Sequence, residues 1–115
     1  LKVIVAGSRD IKSLEDVRHA IHESGYSVTE LVSGCAKGVD ALGEAWARAA
    51  GVPIKRFRPN WAGQGSYAGP ARNQRMADYA EALVAVTHSP WTPGTADMIR
   101  RARAKGLLVY VKEVP

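Results

Sequence analysis

One short pattern recurs three times along this chain and limits the folds open to it. A helical stretch ends on a glycine, and an uninterrupted apolar run follows. The first instance is His19 to Ser24, then Gly25, then Tyr26 to Val32. The second is Trp46 to Ala50, Gly51, then Val52 to Phe57, and the third is Arg101 to Lys105, Gly106, then Leu107 to Val111. Glycine just past a helix takes the left-handed conformation that closes the last turn. An apolar run without alternation suits a strand covered on both faces, as parallel strands are. Val3-Ile4-Val5 and Leu83-Val84-Ala85-Val86 add two more such runs. Five strands alternating with four helices predict an α/β fold. It is a Rossmann-like three-layer sandwich with a five-stranded parallel sheet and right-handed crossovers.

The helices carry stripes that predict their inward faces. These are Leu14, Val17, Ile21 and Ser24 behind a Ser13 N-cap; Val39, Leu42, Trp46 and Ala49; Met76, Ala77 and Ala80; and Met98, Ile99 and Ala102. The 115 residues suit one domain, residues 1–115, without repeat or linker. No apolar run approaches the roughly 20 residues that span a bilayer. Leu1 to Ala6 runs straight into Gly7-Ser8-Arg9-Asp10 and reads as a buried strand, not a leader. The single cysteine, Cys35, leaves no disulfide framework and fits a reducing, cytoplasmic setting. A net charge of +5 favours anionic partners, nucleotides or nucleic acid. The one long loop is expected over Arg58 to Pro70.

In a parallel sheet every strand-to-helix loop lies at one edge, outside the carboxyl ends of the strands, where ligands of open α/β sheets bind. The unusual residues fall in these loops. They are Gly7-Ser8-Arg9-Asp10, Ser33-Gly34-Cys35-Ala36-Lys37-Gly38-Val39-Asp40, Gly69-Pro70-Ala71-Arg72-Asn73, and Thr87 to Thr95. Small residues at a helix start let backbone N–H groups approach an anion. The amides of Gly34 to Gly38 and of Gly94-Thr95 are therefore expected to face phosphate, with Lys37 near by. Arg9 and Arg72 suit bidentate phosphate contacts, and Asn73 or Asp40 is expected to meet a ribose or base. Each glycine also serves as an ordinary turn, Ser33 and Thr95 as N-caps, and Lys37 as a solvated charge; the joint occurrence at one edge carries the reading. Cys35 lies near a helix start, where thiols are activated, but a tight loop requires only a small residue there. His88 alone makes no metal site. Trp61, Tyr67 and Trp91 suit either base stacking or cover of the sheet edge.

Four motifs in order resemble a known family. They are Val3 to Asp10, Ser33 to Gly43, Ala68 to Asn73 and Gly94 to Ile99. Together they resemble the YspA-like branch of the SLOG superfamily, which also holds the Lonely Guy phosphoribohydrolases and the DNA-processing protein A recombination mediators. The resemblance implies a Rossmann-like fold, a nucleotide-derived ligand related to ADP-ribose or NAD, a bacterial or phage setting, and dimers or larger oligomers. Cys35 stands where this branch usually has glycine. The Lonely Guy enzymes carry P-G-G-x-G-T-x-x-E, whose glutamate takes part in the hydrolysis. Here Met98 holds that position, and a thioether is neither acid nor base. The resemblance therefore carries over phosphate binding and not the hydrolase activity. The expected function is a sensor or sequestering module for a nucleotide-type metabolite. Two alternatives stay open. One is an enzyme cleaving an N-glycosidic or phosphoester bond, with Asp40 or Asp10 as its acidic group. The other is a single-stranded DNA binder.

Overall fold

The computed structural model describes residues 1–115. Five strands form one sheet: β1 (Lys2–Gly7), β2 (Glu30–Ser33), β3 (Ile54–Arg56), β4 (Ala82–Thr87) and β5 (Leu108–Glu113). All pairings are parallel, in the order β3-β2-β1-β4-β5. Four longer helices connect them: α1 (Leu14–Ser24), α2 (Val39–Ala50), α4 (Ala68–Tyr79) and α5 (Pro93–Ala104). A one-turn helix, α3 (Trp61–Gln64), precedes α4. Successive residues of β1 point to opposite faces. Val3 and Val5 pack with Val17, Ile21, Val39 and Ala47 from α1 and α2. Ile4 and Ala6 pack with Met76, Ala77, Met98, Ile99 and Ala102 from α4 and α5. The three-layer sandwich expected from the sequence is thus the fold. No helix is long and apolar enough to cross a membrane.

Several boundaries and faces differ from the sequence reading. The second strand starts at Glu30, not Tyr26. Tyr26 and Val28 pack against the first core only partly buried, and Thr29 bonds the Leu1 carbonyl through its amide at 2.9 Å. The third strand shortens to Ile54–Arg56, since Pro53 has no N–H to give the ladder. On α2 the row against the sheet is Val39, Gly43 and Ala47, while Ala49 is exposed. A Cβ at Gly43 would lie 2.9 Å from Val5 Cγ1, so this glycine lets α2 settle onto β1. Leu42 and Trp46 then flank the contact. Leu14, at the first position of α1, is 40% exposed. The expected loop over residues 58–70 is largely helical. Asn60 caps α3 by accepting the Gly63 amide at 3.0 Å, a 3-10 turn covers Gly65–Tyr67, and α4 begins at Ala68.

Candidate functional site

The strand order changes direction beside β1. The connection after β1 leads to β2 on one side, and the chain returns through α4 to β4 on the other. The loops after β1 and β4 therefore diverge and leave a crevice at the carboxyl edge. A cleft of about 630 Å³ occupies this position. Its lining includes Gly7 at the end of β1, Arg9 and Asp10 after it, Ala36 in the loop after β2, Asp40 in the first turn of α2, and Arg72, Asn73 and Met76 on α4. His88, Thr92, Gly94, Thr95 and Met98 come from the β4–α5 segment.

Arg72 is held in place by neutral partners. Its Nη1 donates to the Gly34 carbonyl, and its Nε donates to Asn73 Oδ1 at 2.9 Å. Asn73 Nδ2 donates in turn to Asp97 Oδ2 at 2.9 Å and to the Gly94 carbonyl at 3.4 Å. The Asn73 amide thus braces Arg72 against α5. Asp97 also accepts from Arg101 Nε at 2.9 Å and from Arg100. Burial pushes the Asp97 carboxyl up, but the bonds from Arg101 and Asn73 and the charges of both arginines outweigh it and hold it below the usual range. Burial lowers the Arg72 pKa in spite of Asp40, yet a guanidinium stays charged at any physiological pH. Neither Arg9 nor Arg72 belongs to any ion pair of the structure.

Asp40 is buried beside these cations. Burial pushes its carboxyl up to about 6; the Ala36 amide and the charges of Arg72 and Arg9 oppose this, and Glu44 adds to it. The Ala36 N–H donates to Asp40 Oδ2 at 3.2 Å. Asp10 is exposed and faces His88 Nε2 at 3.3 Å, while His88 Nδ1 lies 3.1 Å from the Val114 carbonyl.

Part of the loop after β2 bonds within the protein. The Cys35 amide donates to Ser33 Oγ at 3.1 Å, the Ala36 amide to Asp40, and the Val39 amide to the Ser8 carbonyl at 3.3 Å. Ser33, Gly34, Cys35, Lys37 and Gly38 lie outside the cleft lining. Ser33 Oγ donates to Glu44 Oε2 at 2.6 Å, and Cys35 borders a separate hollow with Glu44, Arg48 and Arg56. Lys37 is exposed. Ser8 is buried and ties the ends of β1 and β4 together, its Oγ 3.0 Å from Thr87 Oγ1. Thr92, not Thr95, is the N-cap of α5; buried Thr95 Oγ1 accepts from Thr92 Oγ1 at 3.0 Å.

The site glycines divide by what a side chain would meet. A Cβ on Gly7 would lie 1.8 Å from the Val86 carbonyl oxygen, and one on Gly34 would lie 2.7 Å from Arg72 Nη1. Gly38 has φ +71°, and a Cβ on it would lie 2.4 Å from the Ser8 oxygen. Gly7 and Gly38 meet backbone and are required by packing, whereas a side chain at Gly34 would displace the ends of Arg72 and Asp40. A Cβ on Gly94 would meet nothing within 4 Å, so the first turn of α5, with its unsatisfied amides, is open to the cleft.

The aromatic residues separate as well. Trp91 packs against the second core and donates from Nε1 to Glu113 Oε2 at 2.8 Å. Trp61 and Tyr67 are exposed. Arg100, not singled out from the sequence, borders a neighbouring hollow that shares Arg9 and Arg72 with the cleft; its place there follows from the docking of α5 on α4.

Fold and cleft together define an open, doubly wound α/β domain with a cleft at the topological switch point. Residues 1–63 match the model of the YspA, cpYpsA-related SLOG family, and the chain belongs to that family. No curated protein sequence matches it. Among solved structures, DNA processing protein A from Streptococcus pneumoniae is similar, with a TM-score of 0.73 and 20% identity. The match covers 96% of this chain and 49% of that one, so the chain spans about half its length. At that identity the likeness speaks for the fold.

Proposed function

We propose that the cleft binds the phosphate of a nucleotide-derived ligand, of the ADP-ribose, NAD or nucleoside-phosphate kind, and that the domain acts as a sensor or sequestering module. The observation that carries this is the convergence of Arg9, Arg72 and the open first turn of α5 on one cleft, with neither arginine neutralised by a carboxylate. Charge-assisted bonds from guanidinium groups and helix-start amides are the usual means of holding phosphate. Met98 at the cleft wall, in place of an acidic residue, supports binding over hydrolysis.

Asp40 favours a second reading, because a carboxyl raised to about 6 is tuned for proton transfer near neutrality. Recovery of the bound compound intact after prolonged incubation distinguishes binding from turnover. The name of the DNA processing protein, together with the net charge of +5, gives some support to single-stranded DNA as ligand. Steep weakening with salt marks that case.

The direct test is calorimetric titration with ADP-ribose, AMP and NAD. Charged hydrogen bonds contribute roughly 1.5–3 kcal/mol each, so Arg9→Ala and Arg72→Ala are each expected to weaken binding about ten- to a hundredfold. His22→Ala, on the exposed side of α1, is expected to change nothing. Unaltered affinity in both arginine variants refutes the site.

A further inference from the structure

The cleft continues past the two arginines. A second lobe of about 400 Å³ shares Arg9, Arg72, Asn73 and Gly94 with the first. Its outer wall differs in chemistry: Trp61, Pro70 and Pro93 give rigid apolar surface, and Arg100 borders it. Trp61 is 52% exposed and belongs to neither core. The other two tryptophans, Trp46 and Trp91, are partly buried against the cores. The Trp61 ring lies alongside the first turn of α4, since a Cβ on Gly69 would come within 3.7 Å of its Cη2. Both Trp61 and Gly69 line the lobe. Packing does not account for so large an apolar group left half in water. An indole bordering a polar groove is the usual stacking platform for a planar heterocycle.

We propose that this lobe is a nucleobase subsite, in which Trp61 stacks on the base of a free nucleotide. This rests on the nucleotide reading above and adds where the base lies. Arg9 and Arg72, on the wall common to both lobes, take the anion. The planar ring extends from there toward Trp61, and the larger lobe takes whatever lies on the other side of the phosphate. Stacking uses the π-face that every base has, so the subsite retains bases as a class, and the arginines supply the requirement for phosphate.

The test compares AMP and ADP-ribose with base-free ribose 5-phosphate, titrated calorimetrically into the unmodified chain, Trp61→Ala and Trp61→Phe. Trp61 lies outside both cores, so the variants are expected to keep the circular dichroism of the unmodified chain. Trp61→Ala is expected to weaken AMP and ADP-ribose about ten- to a hundredfold and to leave ribose 5-phosphate within about twofold. Trp61→Phe is expected to recover most of the loss. Unchanged nucleotide affinity in Trp61→Ala, with Arg9→Ala still weakening it, overturns the base subsite and leaves the nucleotide reading standing. Equal weakening of AMP and ribose 5-phosphate also overturns it, since Trp61 would then act only through the shape of the loop. If neither AMP nor ADP-ribose binds the unmodified chain, the nucleotide reading fails and this inference with it. Tighter, strongly salt-dependent binding of a single-stranded oligothymidylate that requires Trp61 overturns the free-nucleotide assignment in favour of a strand-binding surface.

Discussion

Replacing Asp40 by asparagine is expected to stabilise the fold, and the gain depends on pH in a defined way. Asp40 is 4% exposed, and its carboxyl is pushed from 3.8 to about 6 chiefly by burial. The folded protein therefore holds this proton more tightly than the unfolded chain does. For this group alone, stability is greatest below about pH 4, falls as pH rises through the window between about 4 and about 6, and stays reduced above it. Each tenfold change in the protonation equilibrium is about 1.4 kcal/mol, so the rise from 3.8 to about 6 sets a cost of about 3 kcal/mol for the ionised form at pH 7.5. Asparagine keeps an oxygen that can accept the Ala36 amide and carries no charge. The attraction to Arg72 and Arg9 is already counted in the net shift, and the new NH2 group, a buried donor, takes part of the gain where it lacks an acceptor. Asp40→Asn is thus expected to raise the unfolding free energy by about 1–3 kcal/mol at pH 7.5 and by almost nothing at pH 4. Urea denaturation of both proteins at steps between pH 4 and 8 measures the difference directly. A difference that does not vary with pH, or a loss of stability that is largest at pH 7.5, refutes burial as the dominant influence on Asp40.

Two backbone predictions follow from the glycine geometry. Gly38→Ala combines a left-handed φ of +71° with a Cβ 2.4 Å from the Ser8 oxygen; it is expected to cost at least ~2 kcal/mol in urea denaturation, whereas Gly94→Ala, where nothing lies within 4 Å, is expected to stay within ~0.5 kcal/mol. Cys35 is the non-glycine residue with positive φ, at 65°. Cys35→Gly relieves that conformation while adding unfolded-state entropy, so stability is expected to rise by up to ~1 kcal/mol; a loss above ~1 kcal/mol would show that the side chain contributes more than its conformation costs.

The architecture was legible because glycine-ended helices followed by apolar runs leave few alternatives to a parallel sheet. Where the reading slipped, the deciding contact was distant in sequence. The inward face of α2 is set by Gly43 against Val5, and hydrophobicity alone pointed to Leu42 and Trp46 instead. The turn at Trp61–Gln64 is too short to show a helical period. The sheet edge carrying the cleft was legible from topology, as were Arg9, Arg72 and Asp40 as its charged lining. The packing role of Gly34 in the loop after β2 was not. A glycine that admits a ligand and a glycine that admits the protein's own arginine read alike in sequence. Only the contact between Gly34 and Arg72, 38 positions apart, tells them apart.

That contact also explains the distribution of charge around the cleft. The guanidinium of Arg72 is anchored by a backbone carbonyl and a neutral amide, so its orientation is fixed while its full positive charge remains. The anchoring amide of Asn73 is itself held by Asp97, which takes Arg100 and Arg101 as its ion partners. A carboxylate placed directly on Arg72 would have fixed it equally well but removed most of its attraction for an anion. With the amide interposed, the negative charge is held at the α5 end of the network and the cation is presented to the cleft. Asp40 fits the same scheme. It lies close enough to lower the energy of the buried arginine and makes no ion pair with it, and burial raises its own pKa. The loop after β2 therefore contributes to the site by positioning an arginine. The first turn of α5 adds backbone donors at the cleft, where Gly94 leaves the approach clear.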